Sequence, residues 1–260
     1  MDSLKFKLTL AYDGTGYEGW QVQKTGTGVQ QLVETALAKL FPSGPRLHSS
    51  SRTDTGVHAL GMVAHFEAPR VELKMPVGKL PIALNAWLPP DFHARFHATG
   101  KQYRYVVWNH PAMNPLLRGT AWHVPRLLDL KAMRIAAKLF VGQHDFQSFT
   151  ANTGYKRSTT VRTLTRCDVK RSGSQFTFII EGDGFLYKMC RGIVGTMVQV
   201  GLGKFPATEI RTMLAKQDRR VAGMTAPAPG LVLWKVFYAT PRRKDAGKRA
   251  SSNLSGAEIS

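Results

Sequence analysis

The chain has 260 residues, 43% of them apolar with five Trp, enough to bury a substantial core and too apolar for an unfolded polymer. Lys and Arg number 36 against 17 acids, a net charge of +19; setting aside the last twenty residues, with five bases and two acids, still leaves +16. The excess belongs to the globule and suits a polyanion, nucleic acid above all. No apolar run approaches a membrane span, and no basic amphipathic helix points to an anionic bilayer. Met1 to Lys5 lacks the basic-then-apolar design of a signal peptide. Cys167 and Cys190 lie far apart without a paired-thiol motif and read as ordinary thiols in a reducing cytoplasm.

In chain order, Leu4 to Tyr12 alternates as a strand and ends in the turn signal Asp13-Gly14. Gly14-Thr15-Gly16-Tyr17-Glu18-Gly19 matches the dinucleotide fingerprint in form only. No helix opens after it, and no acid lies about twenty residues on to take a ribose. Val29, Leu32, Val33, Ala36, Leu37 and Leu40 recur with a period near 3.6, predicting a helix with Gln30, Gln31, Glu34 and Lys39 on its polar side. Pro42 and Gly44 end it. A strand through Met62, Ala64 and Phe66 and a weaker helix over Leu80 to Trp87, stopped by Pro89-Pro90, come next.

Phe92 to Trp108 reads as a long strand, broken or bent near Gly100, with Tyr103, Tyr105 and Val107 on one face and Arg104, Val106 and Trp108 on the other. His93 and His97 would stand about 13 Å apart on such a strand and have no accompanying Glu, so they read as sheet residues rather than metal ligands. Asp129 to Val141 is a helix with Leu130, Met133, Ala137 and Phe140 inward. The polar stretch Gln143 to Ser158 reads as a functional loop. A hairpin over Thr160–Lys170 and Gln175–Glu181 precedes an amphipathic helix over Phe185 to Val200, a short helix from Pro206 to Gln217, and a closing strand over Gly230 to Tyr238. The tail from Pro241 is polar, basic and disordered in composition.

The second half rhymes with the first. The pattern predicts an α+β protein of two similar lobes, ferredoxin- or RRM-like halves, sharing a mixed, largely antiparallel sheet with helices on one side. The expected boundaries are residues 1–97 and 98–240, then the tail 241–260, with the site in the cleft between lobes.

One stretch stands out within that frame: Arg52-Thr53-Asp54-Thr55-Gly56-Val57-His58. Gly56 permits a bend that other residues resist. The Asp54 carboxylate sits at a turn fixed from both sides, with the Arg52 guanidinium two residues upstream on the same face. That arrangement holds an anion ionised and aimed, as a nucleophile or general base requires. The alternative is an Asx-turn in which Asp54 caps its own backbone. His58 reads either as a proton shuttle or as a structural histidine. Trp20, Trp108 and Trp122 read as core rather than base-stacking surfaces.

Seven stretches taken in order resemble the tRNA pseudouridine synthase A (TruA) family. They are Ala11–Thr15 with Gly19–Gln23, Ser51–Ala59, Asp91–Phe96, Lys101–Tyr105, Asp145–Phe149, Gly184–Met189 continuing through Arg191–Gly195, and Ala226-Pro227 with Gly230-Leu231. The resemblance implies an isomerase converting uridine to pseudouridine in the anticodon stem-loop of tRNA, at tRNA nucleotides 38 to 40. It also implies no metal, no organic cofactor, and a homodimer in which one tRNA touches both subunits. Asp54 matches the family's catalytic aspartate, Tyr103 the tyrosine against the target base, Arg191 the arginine paired with the aspartate, and Arg52 the arginine that helps displace the base. The sequence departs from the family at Leu88-Pro89-Pro90-Asp91, where most members carry a further strand, and at Thr55, Cys190 and Gly192. Gly192 inside a helix costs about 1 kcal/mol relative to Ala, so something nearby must need its bare backbone.

The implied chemistry breaks the N1–C1′ bond, turns the uracil and joins C5 to C1′. One carboxylate suffices because no water enters, in contrast to glycoside hydrolysis. Asp54 would attack C1′ or act as a base at C2′ through a glycal; both remain open. The target nucleotide must leave the stack, at a few kcal/mol. A non-catalytic RNA chaperone and a nucleoside hydrolase are the rival readings. Without the resemblance, Tyr103 reads equally as a core tyrosine and Arg191 as a solvated helix charge.

Overall fold

The structure is a computed structural model that describes residues 2–23, 25–87, 93–94, 100–151 and 159–237. Pro89-Pro90, the flanks of His93-Ala94, His97, part of the expected loop at 152–158 and the basic tail lie outside the described residues. The described residues form a mixed α+β fold with five α-helices and one open sheet.

Strand β1 (Ser3–Tyr12) buries Phe6, Leu8, Leu10 and Tyr12 on alternate positions, the period-two pattern of a strand with one covered face. Helix α1 (Val29–Leu40) follows, then the two-residue β2 (His48–Ser49) and β3 (His58–Pro69). Gln30 of α1, expected on the polar side, is buried instead. Its amide donates to the Leu47 carbonyl and to Glu34 Oε1, bonds that carry the burial of a polar group. Helix α2 (Leu80–Asn85), β4 (His93–Ala94) and β5 (Gly100–Trp108) follow, then β6 (Trp122–His123) and α3 (Leu130–Leu139), capped by Asp129 Oδ1 accepting from the Ala132 amide. The second half continues through β7 (Gly142–Asp145), β8 (Val161–Ser172), β9 (Gln175–Gly182), α4 (Met189–Gly201), α5 (Glu209–Lys216) and β10 (Leu231–Phe237).

The sheet order is β4-β1-β3-β10-β5-β9-β8-β7, with β2 on β3 and β6 on β5. Among the described residues, only β10 with β3 and β5 with β6 pair in parallel. The last strand is central: it bonds β3 through His58 and Ala59 and β5 through Gly100 to Tyr105, making one sheet of both halves of the chain. Directly paired residues share a face. The row Tyr12–Ala59–Leu233–Tyr103–Ile180–Cys167 therefore crosses six strands on one buried face. Phe41, at the end of α1, packs on Phe6 of that face, and Phe185, just before α4, packs on Tyr103. The opposite face carries a polar ladder. Arg104 donates to Gln102, Gln102 to Glu181, and Arg166 to Glu181 and Asp168.

Three expectations need correction. The strand expected over 92–108, broken or bent near Gly100, is two strands that take different neighbours, β4 beside β1 and β5 between β10 and β9. Strand propensity marks both segments but cannot say which neighbour each will find. The stretch expected to loop from Gln143 opens with β7, which pairs with β8, and then buries Phe146, Ser148 and Phe149. Helix α4 starts at Met189, four residues later than expected, and is buried nearly all round rather than amphipathic.

Candidate active site

The loop between β2 and β3 carries Asp54 and is held from several directions. The Ser50 amide donates to the Val63 carbonyl, the Trp20 amide to the Thr53 carbonyl, and the Gly56 amide to the Tyr17 carbonyl. The Tyr12 hydroxyl bonds the Thr53 hydroxyl at 2.8 Å, tying the loop to the sheet. Gly56 has φ +72° and lets the loop turn, with the Val57 amide donating to the Asp54 carbonyl. Two of the three glycines that resemble a dinucleotide fingerprint serve this packing instead. A Cβ on Gly19 would sit 2.5 Å from the Thr53 carbonyl oxygen, and one on Gly14 would collide with Val57.

Arg191 reaches the loop from the first turn of α4. Its Nη1 donates to Asp54 Oδ2 at 2.8 Å, and its Nε donates to the Ala226 carbonyl at 2.8 Å. The side chains are 13% and 18% exposed, so the pair is screened little by solvent. The Ala226 amide returns a bond to the Arg191 carbonyl, and the Tyr105 hydroxyl donates to the Pro227 carbonyl. Arg191 is thus clamped before it touches the acid. Asp54 is not engaged in an Asx-turn. Among the described residues its Oδ1 has no hydrogen-bond partner, so one oxygen is held and the other is free.

Tyr103 lies on β5 with its ring edge-on to Phe185, centroids 5.0 Å apart. Burial pushes its phenol well above the ordinary value, and the nearby Cys190, Tyr12 and Asp54 add to the effect while Ser51 opposes it. The hydroxyl stays protonated and can donate or stack, but is not a ready base. Two cavities, of about 540 and 700 Å³, meet at Asp54. Tyr103 lines the first and Arg191 the second; Arg52, Thr53, Tyr187 and Lys188 border both. Arg52 is exposed and makes no ion pair with Asp54. The guanidinium two residues upstream therefore does not hold the acid; the one from α4 does.

His58 belongs to the framework. Its Nδ1 lies 2.9 Å from Asp13 Oδ1 and 3.2 Å from the Gly14 amide nitrogen, its Nε2 lies 3.1 Å from the Gly119 carbonyl, and it lines neither cavity. Trp20 is fully buried, and none of Trp20, Trp108 and Trp122 lines either cavity. Among the described residues no three His, Cys, Asp or Glu side chains gather as a metal site.

Sequence reasoning passed over four cavity residues: Lys101, Arg162, Tyr187 and Lys188. Lys188 is one of two non-glycine residues at positive φ among the described residues, φ 57° and ψ 9°, and its ammonium lies 4.9 Å from the Tyr187 ring. Such backbone outliers concentrate at functional sites. Lys101, Tyr187 and Lys188 sit inside stretches that resemble the family, but their positions alone carried no charge partner to single them out.

A family model described as tRNA pseudouridine synthase matches residues 136–239. A tRNA pseudouridine synthase A of Syntrophotalea carbinolica is 45% identical over 243 residues, 90% of this chain and 96% of that protein. One from Methylacidiphilum infernorum is 42% identical, over 90% and 95% of the two chains, and one from Acetivibrio thermocellus 43%, over 89% and 98%. A chain in a crystal structure of a Cbf5-Nop10-Gar1 complex aligns at TM-score 0.34 and 12% identity over 75% of this chain and 44% of that one, too slight a likeness to bear on the argument. Identity at this level over nearly the whole length leaves one conclusion: this chain belongs to the tRNA pseudouridine synthase A family and isomerises uridine to pseudouridine in tRNA.

Proposed function

We propose that the uridines are those of the anticodon stem-loop, tRNA nucleotides 38 to 40, and that Asp54 performs the covalent or proton-abstracting step on a nucleotide flipped into the cavity beside it. The observation that carries this reading is the Asp54–Arg191 pair at 2.8 Å, on a wall shared by two cavities, the first of which Tyr103 also lines. An anion anchored through one oxygen keeps the other for the sugar, whether the target is C1′ or a C2′ proton. Arg191 compensates the charge that burial would otherwise penalise. Tyr103 offers the uracil a ring face and a neutral hydroxyl near C5. Arg52, exposed at the rim and without an acidic partner among the described residues, is free to enter the space the uridine vacates.

The division into lobes 1–97 and 98–240, a cleft between them and a basic tail at 241–260 complete the reading, as do a homodimer and a cytoplasmic location. The meeting of β3 with β10 and of β10 with β5 beside the Asp54 loop supports a site where the halves join. A homodimer would double the net positive charge available to one tRNA.

Asp54→Asn tests the chemistry. Turnover, read as tritium release from C5-labelled tRNA, is expected to fall by at least about a thousandfold, while tRNA affinity stays within a few fold because no cation is lost. Wild-type turnover by that variant removes Asp54 from its role. Mapping pseudouridines in tRNA from cells without this protein tests the positions.

A further inference from the structure

The first cavity is charged in a way that catalysis at Asp54 does not explain. Four cations line it, Arg52, Lys101, Arg162 and Lys188, against one acid, Asp54, whose charge is already met by Arg191. Lys101 and Arg162 line this cavity and not the one on the Arg191 side. Lys101 precedes Tyr103 by two residues on β5, so both side chains leave the same sheet face. Its ammonium donates to the Ser50 carbonyl at 2.7 Å, leaving two of three N–H groups for another partner. Arg162 donates through Nη1 to the carbonyls of its own approach, Thr159 and Val161. Among the described residues neither cation is paired with a carboxylate.

Burial pushes the Lys101 ammonium below its ordinary value, and the Arg162 charge pushes it the same way. Two like charges thus line one cavity, with Lys101 half-buried, an arrangement that costs folding free energy until an anion arrives. A guanidinium fork beside an ammonium suits a tetrahedral oxyanion better than a lone charge does. The tRNA brings such an anion at every nucleotide.

We propose that Lys101 and Arg162 form a phosphate-binding site in this cavity, which takes the backbone phosphate next to the uridine that enters beside Asp54. The proposal rests on the reading of that cavity as the uridine site. Holding this phosphate fixes the flipped nucleotide's sugar relative to the acid, so the pair positions the substrate and does not touch the reacting atoms.

The test uses an anticodon stem-loop RNA with a single uncharged methylphosphonate placed 5′ of the target uridine, 3′ of it, or several nucleotides away. For the wild-type chain, one of the two flanking replacements is expected to lower kcat/KM by roughly tenfold or more, with the remote one within about twofold. In Lys101→Gln/Arg162→Gln the unmodified RNA already shows that loss, the flanking replacement adds nothing further, and the slope of log Kd against log salt falls. Lys101→Arg and Arg162→Lys should keep the sensitivity. Equal losses from remote and flanking replacements, or a full further loss in the double variant, overturn the proposal. If the double variant does not fold, the wild-type comparison and the single variants still decide. Turnover by Asp54→Asn would instead sink the assignment of the acid and leave the phosphate comparison readable.

Discussion

At the residue scale, the candidate site is a carboxylate whose partner comes from 137 residues further along the chain. Removing Arg191 strands a mostly buried anion. Arg191→Met is therefore expected to destabilise the fold by about 3 kcal/mol, and to cost clearly less in an Asp54→Asn background, where there is no charge left to compensate. Urea denaturation of the four chains closes the cycle; equal losses in both backgrounds would show that the bond to Ala226, and not the ion pair, holds the residue. Arg52 makes the contrasting case. It is nearer to Asp54 in sequence, yet exposed and unpaired with it. Proximity along an extended segment places two charges on one face, but a closing distance needs a second element to bring the partner in.

At the scale of elements, α4 decides the geometry. Its expected start at Phe185 would have wound Tyr187 and Lys188 into a helix; the left-handed conformation of Lys188 delays the first turn and leaves both at the junction of the cavities. Lys188→Gly relieves that backbone and is expected to raise stability by about 0.5–1 kcal/mol while lowering tRNA affinity, a split that thermal melting and filter binding would measure. Lower stability would mean that the Lys188 side chain holds the turn. Gly192 shows the reverse constraint. A Cβ there would stand 2.6 Å from the Phe149 carbonyl oxygen, and one on Gly195 would collide with the Met224 carbonyl. Ala is the better helix former, yet Gly192→Ala is expected to destabilise by about 1–3 kcal/mol because the helix cannot back away from its neighbours. A gain in melting temperature would refute that packing.

At the scale of the molecule, charge and burial set the response to solution conditions. With +16 on the chain ahead of the tail, tRNA affinity should fall steeply as salt rises, and truncation at Pro241 should leave most of that slope in place. Alkaline pH probes the core. Burial holds the phenols of Tyr12, Tyr103 and Tyr105 above their ordinary value, so the folded chain keeps protons that the unfolded chain releases near pH 10. Their contribution is complete below about pH 10 and declines above it, by about 1.4 kcal/mol per pH unit for each phenol still protonated. Urea titrations from pH 8 to 11.5 should show that onset; a flat profile would mean these rings ionise in place.

The sequence by itself determined the local facts: α1 from its 3.6-residue period, the β8–β9 hairpin from Gly173 between alternating runs, the turn at Gly56, the need for a bare backbone at Gly192, and the stretches that resemble the family around Asp54, Tyr103 and Arg191. These depend on propensity, period and φ, which neighbours along the chain control. Only the tertiary structure decided that β10 enters between β3 and β5, that β4 and β5 take different neighbours, that Gln30 turns inward, and that Lys101 and Arg162 line one cavity. Each of those is a pairing between distant segments. A strand edge or an ammonium accepts many partners equally well, and the choice falls to whichever packing of the whole chain leaves the fewest polar groups buried without a partner.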